Sequence, residues 1–123
     1  MNMLLIGVAG AAGALSRYAL QGVVNERTLS AFPYGTFVVN VLGSFILGFL
    51  ATAGFQRFAM NPFWRTALTV GFVGAFTTFS TLTYETLHLI EDGSFGLAAA
   101  NAFGSLGAGL AAVWFGAVVG RVL

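Results

Sequence analysis

Lysine and cysteine are both absent from this chain, and charge of either sign is scarce. Five Arg, three Glu and one Asp make up 7% of 123 residues, where an ordinary soluble domain carries roughly 25%. Without cysteine there can be no disulfide, no thiol chemistry and no thiolate metal site, and the redox compartment cannot be read. A net charge of +1 supplies no basic field to draw in a polyanion, so nucleic acid is not an expected partner. What is present is oil: 58% hydrophobic residues and a mean hydropathy of +0.89. That composition is read as an integral, multi-pass membrane protein, and residues 1–123 as a single transmembrane domain.

Four windows are long enough for the ~20 apolar residues that cross a bilayer: about 4–24, 34–55, 64–89 and 95–119. The gaps hold most of the charge and the turn chemistry. In "QRFAMNP", Asn61 is placed as an N-cap with Pro62 at the first helical position, and in "EDGS" Ser94 is the expected cap. Tyr18, Tyr34, Trp64 and Trp114 lie near span ends, where interfacial aromatics collect. Gaps this short force neighbouring helices to run antiparallel, giving an all-α four-helix bundle with both termini on one side. Arg57, Arg65 and Arg121 fall on the side of the termini and Arg27 on the other, a slim bias towards termini inside. The first apolar run has no basic leader and is membrane-spanning in length, so no cleaved signal peptide is expected.

Small residues recur at helical spacing: Gly7, Gly10 and Ala14; Ser44 and Gly48; Gly104 and Ala108; Gly116 and Gly120. Such rows let backbones approach where lipid offers no hydrophobic drive to associate, which points to a compact bundle and an oligomer.

The polar residues that lipid does not tolerate say more. Arg17 lies on the face of Gly10 and Ala14, and an intramembrane Arg costs at least ~2.5 kcal/mol unless it snorkels to the interface or points at protein or water. Asn40 heads a stripe with Ser44 and Gly48, either as interhelical glue or as the lining of a wet path. His88 and Glu85 sit three residues apart at the end of the third window, and no other His exists to complete a metal site with them. The Ser and Thr hydroxyls have no base beside them other than His88, so no enzyme is expected.

The stretch "GAFTTFSTLTYE", Gly74 to Glu85, places five hydroxyls in the seven positions from Thr77 to Thr83. At 100° per residue they point nearly all round a helix, and Gly71, Gly74 and the β-branched Thr cluster weaken its continuity. The economical reading is a helix broken near mid-membrane, tolerated only where the freed groups line a cavity or bind an ion. The alternative is an intact helix whose Thr and Ser bond back to carbonyls four residues earlier.

"GFVGAFTTFSTL", with "GTFVVNVLGSFILG" and "GAAGALSRY", resembles the Fluc (CrcB) family of fluoride channels, in three of four spans and in the family's order. The resemblance implies a fluoride-selective channel in the cell (inner) membrane, built as an antiparallel, dual-topology homodimer with two pores. It also implies a structural Na⁺ at the dimer centre, held by the backbone carbonyls of Gly74 and Thr77 from each subunit. By the same likeness the anion path takes Asn40, Phe79, Ser80, Thr81, Arg17 and Glu85. Two positions depart from the pattern: Ala75 stands where the family has a second glycine, and Leu82 where it has a second Phe. Fluoride needs compact donors in place of its water shell, and a full counter-charge would hold it too tightly to leave. The implied role is passive export of cytoplasmic fluoride that entered as HF. Two competitors remain: a small proton-coupled multidrug exporter, which needs a membrane-embedded acid that the first span lacks, and a non-transporting assembly subunit.

Overall fold

The computed structural model describes residues 2–57 and 59–123, apart from the side chain of Arg57, so that Arg of the charge bias lies outside what is described. Its described secondary structure is helical throughout. Helix α1 spans Asn2–Thr28; α2 spans Tyr34–Phe49 and runs on as π-helical turns over Leu50–Arg57. Helix α3 (Pro62–Thr66) passes through π-helical turns at Ala67–Val73 into α4 (Gly74–Phe76), followed by α5 (Phe79–Glu91) and α6 (Phe95–Val122). Four helical stretches are long and apolar enough to cross a membrane: Asn2–Thr28, Tyr34–Gln56, Pro62–Glu91 and Phe95–Val122. They overrun the apolar windows because a helix keeps its backbone bonded to itself past the hydrocarbon, into turns whose side chains are polar.

The helix ends follow local chemistry only in part. Asn61 accepts the Phe63 N–H at 2.9 Å with Pro62 behind it, the cap that the sequence predicts. Ser94 is a correction: it precedes α6 but its side chain caps nothing. Gly93, at φ +79°, makes the turn, and the Ser94 N–H bonds back to the Leu89 carbonyl at 2.8 Å. Helix α2 is capped from outside, since Pro33 precedes it and the Asn25 side chain on α1 accepts the Gly35 N–H at 3.0 Å.

Helices α2 and α6 form the closest pair. A Cβ on Gly48 would run into the Val113 carbonyl, one on Gly116 into the Phe45 carbonyl, and one on Gly120 into the Thr52 hydroxyl. These backbones touch because no side chain keeps them apart, as the small-residue rows predict. Gly7 and Gly104, from the same rows, face open space. Gly13 belongs to none of the rows, yet it lies against the Phe72 carbonyl and seats α1 on the third span.

Both π-helical stretches have a Thr that competes for backbone carbonyls. Thr52 Oγ1 donates to the Gly48 carbonyl at 3.1 Å, and Thr69 Oγ1 to the Arg65 carbonyl at 2.7 Å. A hydroxyl on the carbonyl four residues back loosens the regular ladder there.

The third span changes partners along its length. Its first part, the π-helical turns and α4, packs on α1, whereas α5 packs on α6. Ala67, Gly71, Val73 and Phe76 are buried before the change, and Leu89 alone in α5.

Candidate functional site

Between α4 and α5 two residues leave helical geometry: Thr77 at φ −92°, ψ 160°, and Thr78 at φ −148°, ψ 120°. The Asn40 side chain, from α2, holds this step. Its Oδ1 accepts the Thr78 N–H at 2.8 Å and its Nδ2 donates to the Thr78 carbonyl at 3.0 Å. A carboxamide matches a peptide group donor for acceptor, so Asn40 occupies both backbone groups of Thr78 as a neighbouring strand would. One Nδ2 hydrogen remains. Gly43, one turn further along α2, makes room: a Cβ there would collide with the Thr77 methyl.

The step also redistributes hydrogen bonds on either side. Thr78 Oγ1 caps α5 by accepting the Thr81 N–H at 3.3 Å, and it donates to Thr81 Oγ1 at 3.1 Å. In a regular helix the Gly74 carbonyl would take the Thr78 N–H and the Thr77 carbonyl the Thr81 N–H. Both donors are committed elsewhere, to Asn40 and to the Thr78 hydroxyl. Gly74 and Thr77 therefore have carbonyls deprived of their helical partners. The Ala75 carbonyl accepts Arg17 Nε at 3.0 Å.

The hydroxyls divide into two groups. Thr77 Oγ1 donates to the Val73 carbonyl at 3.0 Å and Thr83 Oγ1 to the Ser80 carbonyl at 2.9 Å, so these two bond to their own preceding turns. Their protons are spent, and for Thr77 the acceptor is the carbonyl four residues back, the back-bonding that the alternative reading of this stretch describes. Ser80 is exposed, and the Thr81 hydroxyl, accepting from Thr78, keeps its proton to donate.

A cavity of about 760 Å³ lies on the open side of the step, between α2, α5 and α6. Asn40, Ser44, Phe79, Leu82 and Ser105 are among its lining residues. Phe79 is 77% exposed. Leu82 fills the next turn towards Thr86 with branched aliphatic surface.

Glu85 lies elsewhere. It lines a second cavity of about 180 Å³ with Tyr84, His88, Ala31 and Pro33. Its carboxyl lies beside the Thr36 hydroxyl, which accepts from Gln21 Nε2 at 3.0 Å, and Glu85 Oε1 is buried without a partner. His88 faces Asp92 at 3.5 Å rather than Glu85, and both side chains are well exposed, so water screens the pair. Among the described residues no group of three or more His, Cys, Asp or Glu could hold a metal.

Sequence reasoning missed Asn101 and Ser105 on α6. Asn101, fully buried, donates to Thr86 Oγ1 at 3.0 Å, while its Oδ1 and the Ser105 hydroxyl have no partner. The rule that singled out Asn40, an amide inside an apolar span, also marks Asn101, and Ser105 follows it at i+4.

The family described as "CrcB-like protein, Camphor Resistance (CrcB)" matches residues 4–117. A protein of Solibacter usitatus named fluoride-specific ion channel FluC is 45% identical over 121 residues, 98% of this chain and 99% of its own. A protein of Nitratidesulfovibrio vulgaris with the same name is 46% identical over 122 residues, 99% of this chain and 98% of its own. A third, from Methylococcus capsulatus, is 48% identical across all of this chain, which covers 55% of that longer protein.

Proposed function

The chain belongs to the CrcB family, and on that premise we propose that it is a fluoride-selective channel for passive export of cytoplasmic fluoride. The observation that carries the reading is the extended step at Thr77 and Thr78, clamped by Asn40 beside a cavity lined by Phe79. A small, strongly hydrated anion gives up its water only to compact donors, and a fixed counter-charge would trap it. The cavity offers the spare Asn40 hydrogen, the Ser44 and Ser105 hydroxyls and the electropositive edge of Phe79, and among the described residues no charged side chain lines it. Thr81, which does not line the large cavity, keeps a hydroxyl proton for the approach to the path. Glu85 and Ser80 belong to the approach to the path on this reading, since neither lines the large cavity.

The working unit is an antiparallel, dual-topology homodimer. The cavity is open, and its apolar rim of Phe79, Leu106 and Leu110 is well exposed. A second copy of the chain would cover that apolar rim and turn an open groove into a pore. The third span works as a broken helix. The Gly74 and Thr77 carbonyls, without helical donors, suit a hard monovalent cation such as Na⁺, and Gly74 is exposed. Bound there, Na⁺ would supply positive charge between the subunits and tie the two steps together.

Fluoride efflux from liposomes, followed with a fluoride electrode, tests the function. Flux without proton coupling supports the channel. Drug-driven proton flux would point to an exporter, and neither flux to an assembly subunit.

A further inference from the structure

Gly35 lets α1 and α2 touch near the turn that joins them: a Cβ there would run into the Gln21 carbonyl and the Asn25 side chain. Through that contact α1 presents two side chains, one turn apart, to the start of α2. Asn25 accepts the Gly35 N–H at 3.0 Å, and Gln21 Nε2 donates to Thr36 Oγ1 at 3.0 Å. Thr36 is fully buried, and the Glu85 carboxyl of α5 lies beside its hydroxyl. Three side chains from three helices thus stand in a row.

The row has a direction. A hydroxyl has one proton, and an amide can meet it either with N–H or with its oxygen. Were the Gln21 oxygen turned to Thr36, it would take that proton and leave only lone pairs towards Glu85, whose carboxylate accepts and never donates. With Nε2 in place, a lone pair is engaged from α1 and the proton stays available on the α5 side. That side carries the cavity of about 180 Å³, and Glu85 Oε1 is buried there without a partner. Tyr84 and His88 also line this cavity but are exposed, so water competes for their donors. The Thr36 proton is sheltered, and a donor away from water binds an acceptor more strongly.

We propose that Gln21 is a positioning residue for the approach to the path: by donating to Thr36 it keeps the hydroxyl proton turned towards Glu85, where the carboxylate or an arriving fluoride, both acceptors, can take it. This rests on the channel reading above. Neither Gln21 nor Thr36 lines the large cavity, and Gln21 acts on the anion only through the hydroxyl. Two substitutions separate direction from contact. Glu has the shape of Gln and can still bond to Thr36, but only as an acceptor, so it reverses the row. Met fills the same space and makes no such bond. Asn25 keeps the start of α2 anchored in both.

The test measures electrode-monitored fluoride efflux from liposomes for the wild type, Gln21→Glu and Gln21→Met, each with and without Thr36→Val, and reads the thermal midpoint in detergent alongside. Gln21→Glu is expected to lower efflux about tenfold, the scale of one hydrogen bond to a charged partner, and by more than Gln21→Met does, at a midpoint close to that of the wild type. Combined with Thr36→Val, which leaves no proton to direct, neither substitution should lower efflux further. A role as interhelical glue gives the opposite order, with Gln21→Glu the milder because it keeps a bond. That order, or wild-type efflux in Gln21→Glu, overturns the inference. So does a Gln21→Glu loss that persists alongside Thr36→Val, since it would be repulsion by an added charge. If Thr36→Val does not fold, Gln21→Glu is compared with the wild type at low and high concentrations of an impermeant salt: a loss that fades with salt is charge repulsion and overturns the inference, and one that stays supports it. A wild type that carries no fluoride would instead defeat the channel reading, whatever the variants do.

Discussion

The two halves of the third span come from one apolar stretch, yet they are built for different tasks. Before the step, the chain is wedged against α1: Gly71 lies so close to Ile6 that a Cβ would sit 2.8 Å from its carbonyl, and Phe72 stacks on Phe76 with centroids 5.7 Å apart. After the step, α5 buries little beyond Leu89 and presents Phe79, Thr83 and Tyr84 outward. The first half is shaped by packing inside one subunit. The second half is largely open, and Phe79, Leu82, Thr83 and Thr86 along it line a cavity. The difference teaches that hydroxyls in a membrane helix do not share one role. Those of Thr69 and Thr77 are consumed by their own turns, whereas Thr78 spends its hydroxyl on starting a new helix.

Substitutions should therefore separate stability from conduction along this one span. The largest effect on conduction is expected for Asn40→Asp, which cannot donate to the Thr78 carbonyl and adds a charge that repels the anion. Efflux should fall about a hundredfold, the cost of one lost buried partner plus like-charge repulsion. Unchanged efflux would remove Asn40 from the path. In the packed half, Gly71→Val should lower stability by about 1–3 kcal/mol through overpacking against Ile6 and Ala9, seen as a lower thermal midpoint in detergent. In the open half, Phe79→Ile should leave that midpoint in place and cut efflux by about tenfold, since an aliphatic side chain has no electropositive ring edge. A matching loss of stability would mean that the two halves are not so different. The smallest effect is expected for Leu82→Phe, which points into the large cavity and should leave stability within about 0.5 kcal/mol, as substitutions at open positions do. A misfolded product would show that this cavity is already filled in the working protein.

Much of the frame was legible in the residues. Hydropathy alone places four membrane-crossing helices, because in lipid an apolar run of this length has no other way to satisfy its backbone. The Asn61–Pro62 start is equally local, since cap and first position are adjacent in the chain. Ser94 was less legible: its capping role depended on a turn geometry that Gly93 set instead. The small-residue rows gave the motif but not the face, so Gly48, Gly116 and Gly120 touch a neighbour while Gly7 and Gly104 do not. Gly13 and Gly43 matter because of what lies opposite, and spacing along one helix carries no record of that.

Within the site, the cluster from Thr77 to Thr83 drew attention to the right part of the third span by composition alone. Which two residues leave helical geometry depended on Asn40, thirty-eight positions earlier, whose carboxamide competes for the Thr78 backbone groups. Glu85 sits four residues past Thr81, and its separation from the large cavity followed from the turn of α5, which sets it in the smaller cavity with Ala31 and Pro33.

The sequence by itself determined that this chain lives in a membrane, crosses it four times and gathers its hydroxyls on the third crossing, because those follow from transfer free energies, backbone satisfaction and composition, which act residue by residue. Only the tertiary structure decided which carbonyls lose their donors, which hydroxyls keep a proton to give, and where Arg17 sets its charge. Each of those outcomes is a competition between groups far apart in the chain, and such a competition is settled only when the helices are brought together.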